Sequence, residues 1–157
     1  MSTDLVTVDI GGTHARFAIA TIGEDGAITL GEPETLHTDD HASFQTAWED
    51  FRKRMGGTLP PRIAMAIAGP VGDDVIRFTN NPWIIRPALV REKLGVENYC
   101  IVNDFEAVAH AVARAVLPAA EKRGVRVACV VDPERHIERY IQAAEANGMT
   151  ITAIFDT

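Results

Sequence analysis

Two adjacent glycines, Gly11-Gly12, lie between two apolar runs near the start of the chain and constrain its fold more than any other feature. Asp4 to Ile10 alternates and is rich in Val, Leu and Ile, which predicts a strand. Ala15 to Thr21 resumes an apolar, strand-like run. Two such runs joined through a Gly-Gly turn predict a hairpin. A third run, Ala27 to Leu30, follows the turn signal Glu24-Asp25-Gly26. The chain therefore opens as antiparallel β structure. With 157 residues, 46% of them hydrophobic, it has enough apolar side chain to pack a core of ordinary domain size. That composition excludes disorder as the main state.

Further on, the period changes. Phe44, Ala47, Trp48, Phe51 and Met55 recur at helical spacing over Ser43 to Met55, and Gly56-Gly57 closes the segment. Ile63 to Ala68 is wholly apolar, which suits a strand buried on both faces. Val75 to Phe78 predicts a strand and Thr79-Asn80-Asn81-Pro82 a polar loop. Pro87 to Leu94 predicts a short helix ended by Gly95, Tyr99 to Val102 a strand, and Phe105 to Val116 a helix. A strand–helix–strand pattern follows. Val125 to Val131 is its first strand, Asp132-Pro133 opens its helix, and Thr150 to Phe155 is its last strand. Hairpin strands followed by strands alternating with helices predict an α/β domain with a mixed sheet.

Charge narrows the function classes. Lys and Arg number 15 against 22 Asp and Glu, a net charge of −7. That balance argues against a nucleic-acid or anionic-membrane surface, either of which needs clustered cations. No run of 18 apolar residues predicts a spanning helix. Met-Ser-Thr-Asp has neither a basic nor an apolar leader region, so a cytoplasmic protein is expected. Cys100 and Cys129 sit in apolar runs and are expected to be buried, reduced thiols. His14, His37, His41, His110 and His136 show no metal-ligand spacing, are read as surface or core residues, and predict no metal site.

Three stretches can carry chemistry. In Asp9-Ile10-Gly11-Gly12-Thr13, the glycines let backbone N–H groups face an anion, Thr13 adds a hydroxyl, and Asp9 can hold Mg²⁺ through water. A nucleotide phosphate fits that set, and so does a plain tight hairpin. The stretch opens a strand rather than a helix, so it is not a dinucleotide fingerprint; it also lacks the Gly-Lys-Ser/Thr of a Walker loop. In Asn103-Asp104, at a strand end, Asp104 can take a proton from a substrate hydroxyl and Asn103 can bond a sugar hydroxyl. Asp is equally a favoured helix N-cap, so the residues leave both roles open. Third, Asn80 and Asn81 carry amides suited to hydroxyl groups, in a loop that any turn-forming sequence would also make.

Four stretches in register carry a specific resemblance: DIGGTHARFA (Asp9 to Ala18), AIAGPV (Ala66 to Val71), TNNPW (Thr79 to Trp83) and IVNDFEAVAHAV (Ile101 to Val112). Over residues 4–116 the chain resembles bacterial glucokinases of the sugar kinase and actin-like ATPase superfamily. The resemblance implies an α/β, actin-like ATPase (ribonuclease H-like) lobe with a mixed sheet. It implies ATP-dependent phosphorylation of glucose, with ATP and Mg²⁺ as cofactors and glucose or a similar hexose as partner; a homodimer is compatible with it. Asp9, Gly11, Gly12 and Thr13 match the first phosphate loop. Asn103 matches a glucose-hydroxyl ligand, and Asn80 and Asn81 match the sugar-side loop. Asp104 matches the base that takes the proton of the sugar 6-hydroxyl as its oxygen attacks the γ-phosphorus. His14 stands where the family often has Asn.

The family pattern is expected to end near Val116, before the second lobe that a glucokinase uses to complete its cleft; the chain alone is therefore expected to be inactive. Residues 117–124 read as a junction and 125–157 as a βαβ tail. Val130 to Thr157 resembles a segment of metallo-β-lactamase-like hydrolases of the persulfide dioxygenase kind, without that family's zinc-ligating histidines. A non-catalytic folded module, or a fragment of such a hydrolase, is the alternative reading.

Overall fold

The computed structural model describes residues 2–78, 80–108 and 111. The chain divides into two compact units, Met1–Asp104 and Phe105–Thr157. The first contains every candidate site residue. In the second, residues 105–108 are helical, in agreement with the start of the predicted helix. The predicted junction, the strand–helix–strand tail, and Cys129 lie outside the described residues.

The opening hairpin forms as predicted. β1 (Thr3–Ile10) pairs antiparallel with β2 (His14–Ile22), in a register that sets Val8 opposite Phe17 and Ile10 opposite Ala15. β3 (Ile28–Leu30) and β4 (Glu34–His37) lie end to end along the other edge of β2. β4 was not legible in the sequence. Its residues, Glu-Thr-Leu-His, carry one apolar side chain, Leu36, which is 3% exposed in the core.

Helix α1 (Phe44–Arg54) starts at Ser43, whose hydroxyl accepts from Thr46 N while Thr46 Oγ1 accepts from Ser43 N. Its buried residues Phe44, Ala47, Trp48 and Phe51 recur every three or four positions and form one apolar stripe. Phe17 stacks on Phe51 at 4.9 Å and on Phe44 at 6.0 Å. The Trp48 indole N–H donates to Leu94 O at 3.1 Å, so the one polar atom of that side chain is satisfied within the core.

On the solvent face of α1, Arg54 bonds Asp50 at 3.0 Å and holds the Asp50 carboxyl below its ordinary range. A carboxyl with a lowered folded pKa stabilises the fold above its unfolded pKa, and that contribution is lost as pH falls through the folded value. Asp50→Asn is therefore expected to lower the melting temperature slightly at pH 6, as for an exposed helix pair, and by less at pH 2. Thermal melts of both proteins at the two pH values check this.

β5 (Arg62–Ile67) runs parallel to β1, and β8 (Asn98–Asn103) runs parallel to β5. Between them, β6 (Ile76–Arg77) and β7 (Ile84–Ile85) form a small antiparallel pair, and α2 (Val90–Leu94) ends at Gly95, whose φ of 68° is left-handed. The main sheet has the order β3-β2-β1-β5-β8, with β4 paired to β2. This is the mixed α/β sheet expected. Two expectations need correction. β5 is not fully buried on both faces: Ile63, Met65 and Ile67 face the core, whereas Ala64 and Ala66 are half-buried. Cys100 is not buried but exposed, because β8 alternates and sets Tyr99 and Ile101, not Cys100, against the core. No helix among the described residues is long and apolar enough to cross a membrane.

Candidate functional site

β1, β5 and β8 run parallel, and their register aligns Ile10 with Ile67 and Ile67 with Asn103. The residues that follow therefore emerge at one sheet edge: Gly11-Gly12 after β1, Ala68-Gly69 after β5, and Asp104 after β8. The chain builds outward from β1 first to β2 and β3, then to β5 and β8 on the other side. Ligands of open α/β sheets bind at the carboxyl strand ends where the order reverses in this way.

The turn between β1 and β2 is held by its carbonyls. Ile10 O accepts from Ala68 N at 3.1 Å and Gly11 O from Asn81 Nδ2 at 3.2 Å. Gly12 O accepts from Thr38 Oγ1 at 2.9 Å, Thr13 O from Thr38 N at 3.0 Å, and His14 O from Gly11 N at 2.9 Å. The N–H groups of Gly12 and Thr13 find no acceptor among the described residues. A turn with its carbonyls tied inward and two N–H groups left over presents positive partial charge outward.

The glycines act differently from the expectation that both present N–H groups to an anion. The Gly11 N–H closes the turn on His14 O, and neither glycine has a left-handed φ. Gly12 sits in a close approach: a Cβ there would stand 3.0 Å from Asn80 Cβ, so Asn80 would have to give way.

Thr38 is fully buried, and sequence reasoning missed it because a lone Thr in a polar stretch carries no signal. Thr38→Val keeps the shape, deletes the hydroxyl and leaves Gly12 O unpaired. It is expected to cost about 1–3 kcal/mol in urea unfolding. Thr38→Ser is expected to retain most of that stability.

Asp9 ion-pairs with Arg16 across the hairpin at 3.1 Å, both half-exposed. Thr13 and Asn80 are exposed. Asn81 is 6% exposed; its Oδ1 accepts from Trp83 N at 2.9 Å while its Nδ2 holds Gly11 O. This differs from the expected sugar-facing amide: Asn81 ties its loop to the Gly-Gly turn. Trp83 anchors the same loop through its indole N–H to His41 O at 2.8 Å. Asn103 Nδ2 donates to Gly69 O at 2.9 Å, linking the ends of β5 and β8. Asp104 is the first helical residue, half-buried, so the cap position falls on Asn103. Asp9, Gly11, Gly12, Thr13, Asn80, Asn81, Asn103 and Asp104 thus all belong to the strand ends and loops of one sheet edge.

The glucokinase family profile matches residues 6–128. This chain belongs to the glucokinase family. The family match runs through the 117–124 stretch that the sequence pattern sets aside as a junction. Over 110 residues the chain is 51% identical to the glucokinase of Zymomonas mobilis, which covers 70% of this chain and 34% of that protein. It is 41% identical over 105 residues to the glucokinase of Allorhizobium ampelinum, covering 67% and 30%. Among solved structures, a glucokinase from an Antarctic psychrotroph superposes with a TM-score of 0.63 at 27% identity, over 69% of this chain and 34% of that one. The ROK hexokinase of Thermus thermophilus shares the fold, with a TM-score of 0.51 at 22% identity over 71% and 39%. The chain spans about a third of the length of the curated relatives it matches. The likeness of residues 130–157 to metallo-β-lactamase-like hydrolases finds no support in these comparisons, and that segment lies outside the described residues.

Proposed function

We propose that this chain supplies the phosphate-loop wall of an ATP-dependent glucose kinase, in the division read from the sequence: lobe 4–116, junction 117–124, tail 125–157. One observation carries the reading. The β1–β2 turn has its carbonyls tied inward and the N–H groups of Gly12 and Thr13 without an acceptor among the described residues, on the same sheet edge as Asp104. Phosphoryl transfer needs positioning and charge neutralisation more than covalent chemistry, and this edge offers both.

In this reading the Gly12 and Thr13 N–H groups and the Thr13 hydroxyl cradle a phosphate of ATP. Asp9 holds Mg²⁺ through water, and the ion neutralises phosphate charge. Asn103, fixed by Gly69 O, and the exposed Asn80 line the hexose side. Asp104 accepts the proton of the attacking sugar hydroxyl. Asn81 holds the loop rather than the sugar.

The test is a hybrid in which residues 1–111 of this chain replace the matching first third of the Zymomonas mobilis glucokinase. The hybrid is expected to release ADP in a glucose-dependent manner. The 157-residue chain alone is expected to show little release, because its match covers only 34% of that relative. A folded hybrid with no glucose-dependent turnover would sink the reading.

A further inference from the structure

We infer that His14 and His37 form a binding site for a divalent transition-metal ion of the Cu²⁺ or Ni²⁺ kind, beside the Gly11-Gly12 turn. The two are 23 residues apart in sequence (37 − 14), so no spacing rule finds them. The fold sets them directly opposite each other, His14 opening β2 and His37 closing β4. Facing residues on antiparallel strands hold their Cβ atoms about 4.5–5.5 Å apart, with both side chains on one face. The imidazole centroids stand 4.4 Å apart with their planes 49° apart. Among the described residues, this ring contact is the only interaction of either imidazole.

Each neutral imidazole offers one nitrogen lone pair. With metal–nitrogen bonds of about 2.0–2.1 Å, two imidazoles in adjacent coordination positions place their ring centres roughly 4.5–5 Å apart. The observed 4.4 Å is close to that spacing. The backbone beneath is already held. Leu36 is buried, and Thr38, next to His37, ties the carbonyls of Gly12 and Thr13. Little order has to be gained on binding, which favours affinity. Asp39 and Asp40 follow in the turn Thr38–Asp40, and the net charge of −7 draws cations to the surface.

No group of three or more ligating side chains occurs among the described residues, so water completes the coordination. A two-imidazole site selects by ligand type. Cu²⁺ binds tightest and Ni²⁺ tighter than Co²⁺, whereas Mg²⁺ and Ca²⁺ prefer oxygen and are refused. This site is separate from the proposed Asp9–Mg²⁺ role and stands whether or not the chain serves a kinase.

The test is calorimetric titration of the 157-residue chain with NiCl₂ and with CuCl₂, repeated on His14→Asn and His37→Gln. His41, His110 and His136 remain in both variants, so sites made by them persist. The expected result is a saturable site whose affinity drops about tenfold or more in either variant, while any heat from MgCl₂ is the same in wild type and both variants. Equal affinity in wild type and both variants would overturn the assignment. If a variant fails to fold, the wild type decides alone: substoichiometric Cu²⁺ is expected to broaden the ring resonances of two histidines before the other three. Even broadening across all five would equally overturn it.

Discussion

In the hybrid enzyme, Asp104→Asn is expected to lower kcat by about 10²- to 10⁴-fold, the ordinary worth of a positioned general base and the role proposed for Asp104. The substitution keeps size and hydrogen-bonding shape and removes the ability to take a proton. Asp104 follows Asn103, which is in register with Ile67 and through it with Ile10, so the carboxyl belongs to the strand-end edge that carries the Gly-Gly turn. The KM for glucose is expected to move little, since an amide oxygen still accepts a hydrogen bond. Steady-state rates against glucose separate the two constants. A purely structural role at the start of the helix predicts the reverse: nearly unchanged kcat with a lowered melting temperature. Asp104→Glu adds a check, because it restores the base at the wrong distance and is expected to recover only part of the rate.

Phe17→Ala has the largest expected effect on stability, about 3–5 kcal/mol. Phe17 is completely buried between Phe44 and Phe51 of α1, and its strand partner Val8 lies in the same core cluster. Truncation opens a cavity where sheet meets helix, and neither side can move in without breaking the strand ladder or the helix stripe. Whole domains are stable by about 5–15 kcal/mol, so this one change is expected to leave the protein near its unfolding threshold. Equilibrium urea unfolding gives the value. Leu30→Ala, at a 60% exposed position on β3, serves as the control and is expected to stay within about 0.5 kcal/mol of wild type.

Much of the architecture was legible because it rests on local rules. Gly-Gly between two apolar runs makes a hairpin, apolar residues three and four apart make α1, and Gly95 ends α2 in a left-handed conformation. The strand ends that carry Gly11-Gly12 and Asn103-Asp104 could be located for the same reason. What escaped the sequence was held by partners distant in the chain. β4 is a strand because β2 offers it a ladder, not because Glu-Thr-Leu-His favours one. Asn81 looked like a ligand, as exposed amides do. Only its distance of 70 positions from Gly11, closed by a hydrogen bond, turns it into a loop anchor.

By itself, then, the sequence determined the order of most of the elements, though not β4 or β7, and with it the α/β class, the family resemblance over residues 4–116 and the chemical types available at the sheet edge. Periodicity and glycine placement act over a few residues and need no tertiary context. The tertiary structure decided which groups on that edge are already committed. It tied the turn's carbonyls to Ala68, Asn81 and Thr38, exposed Cys100, and set His14 against His37. Those outcomes depend on strand register and on contacts between segments far apart in sequence, where one residue's slip would send every side chain to the other face.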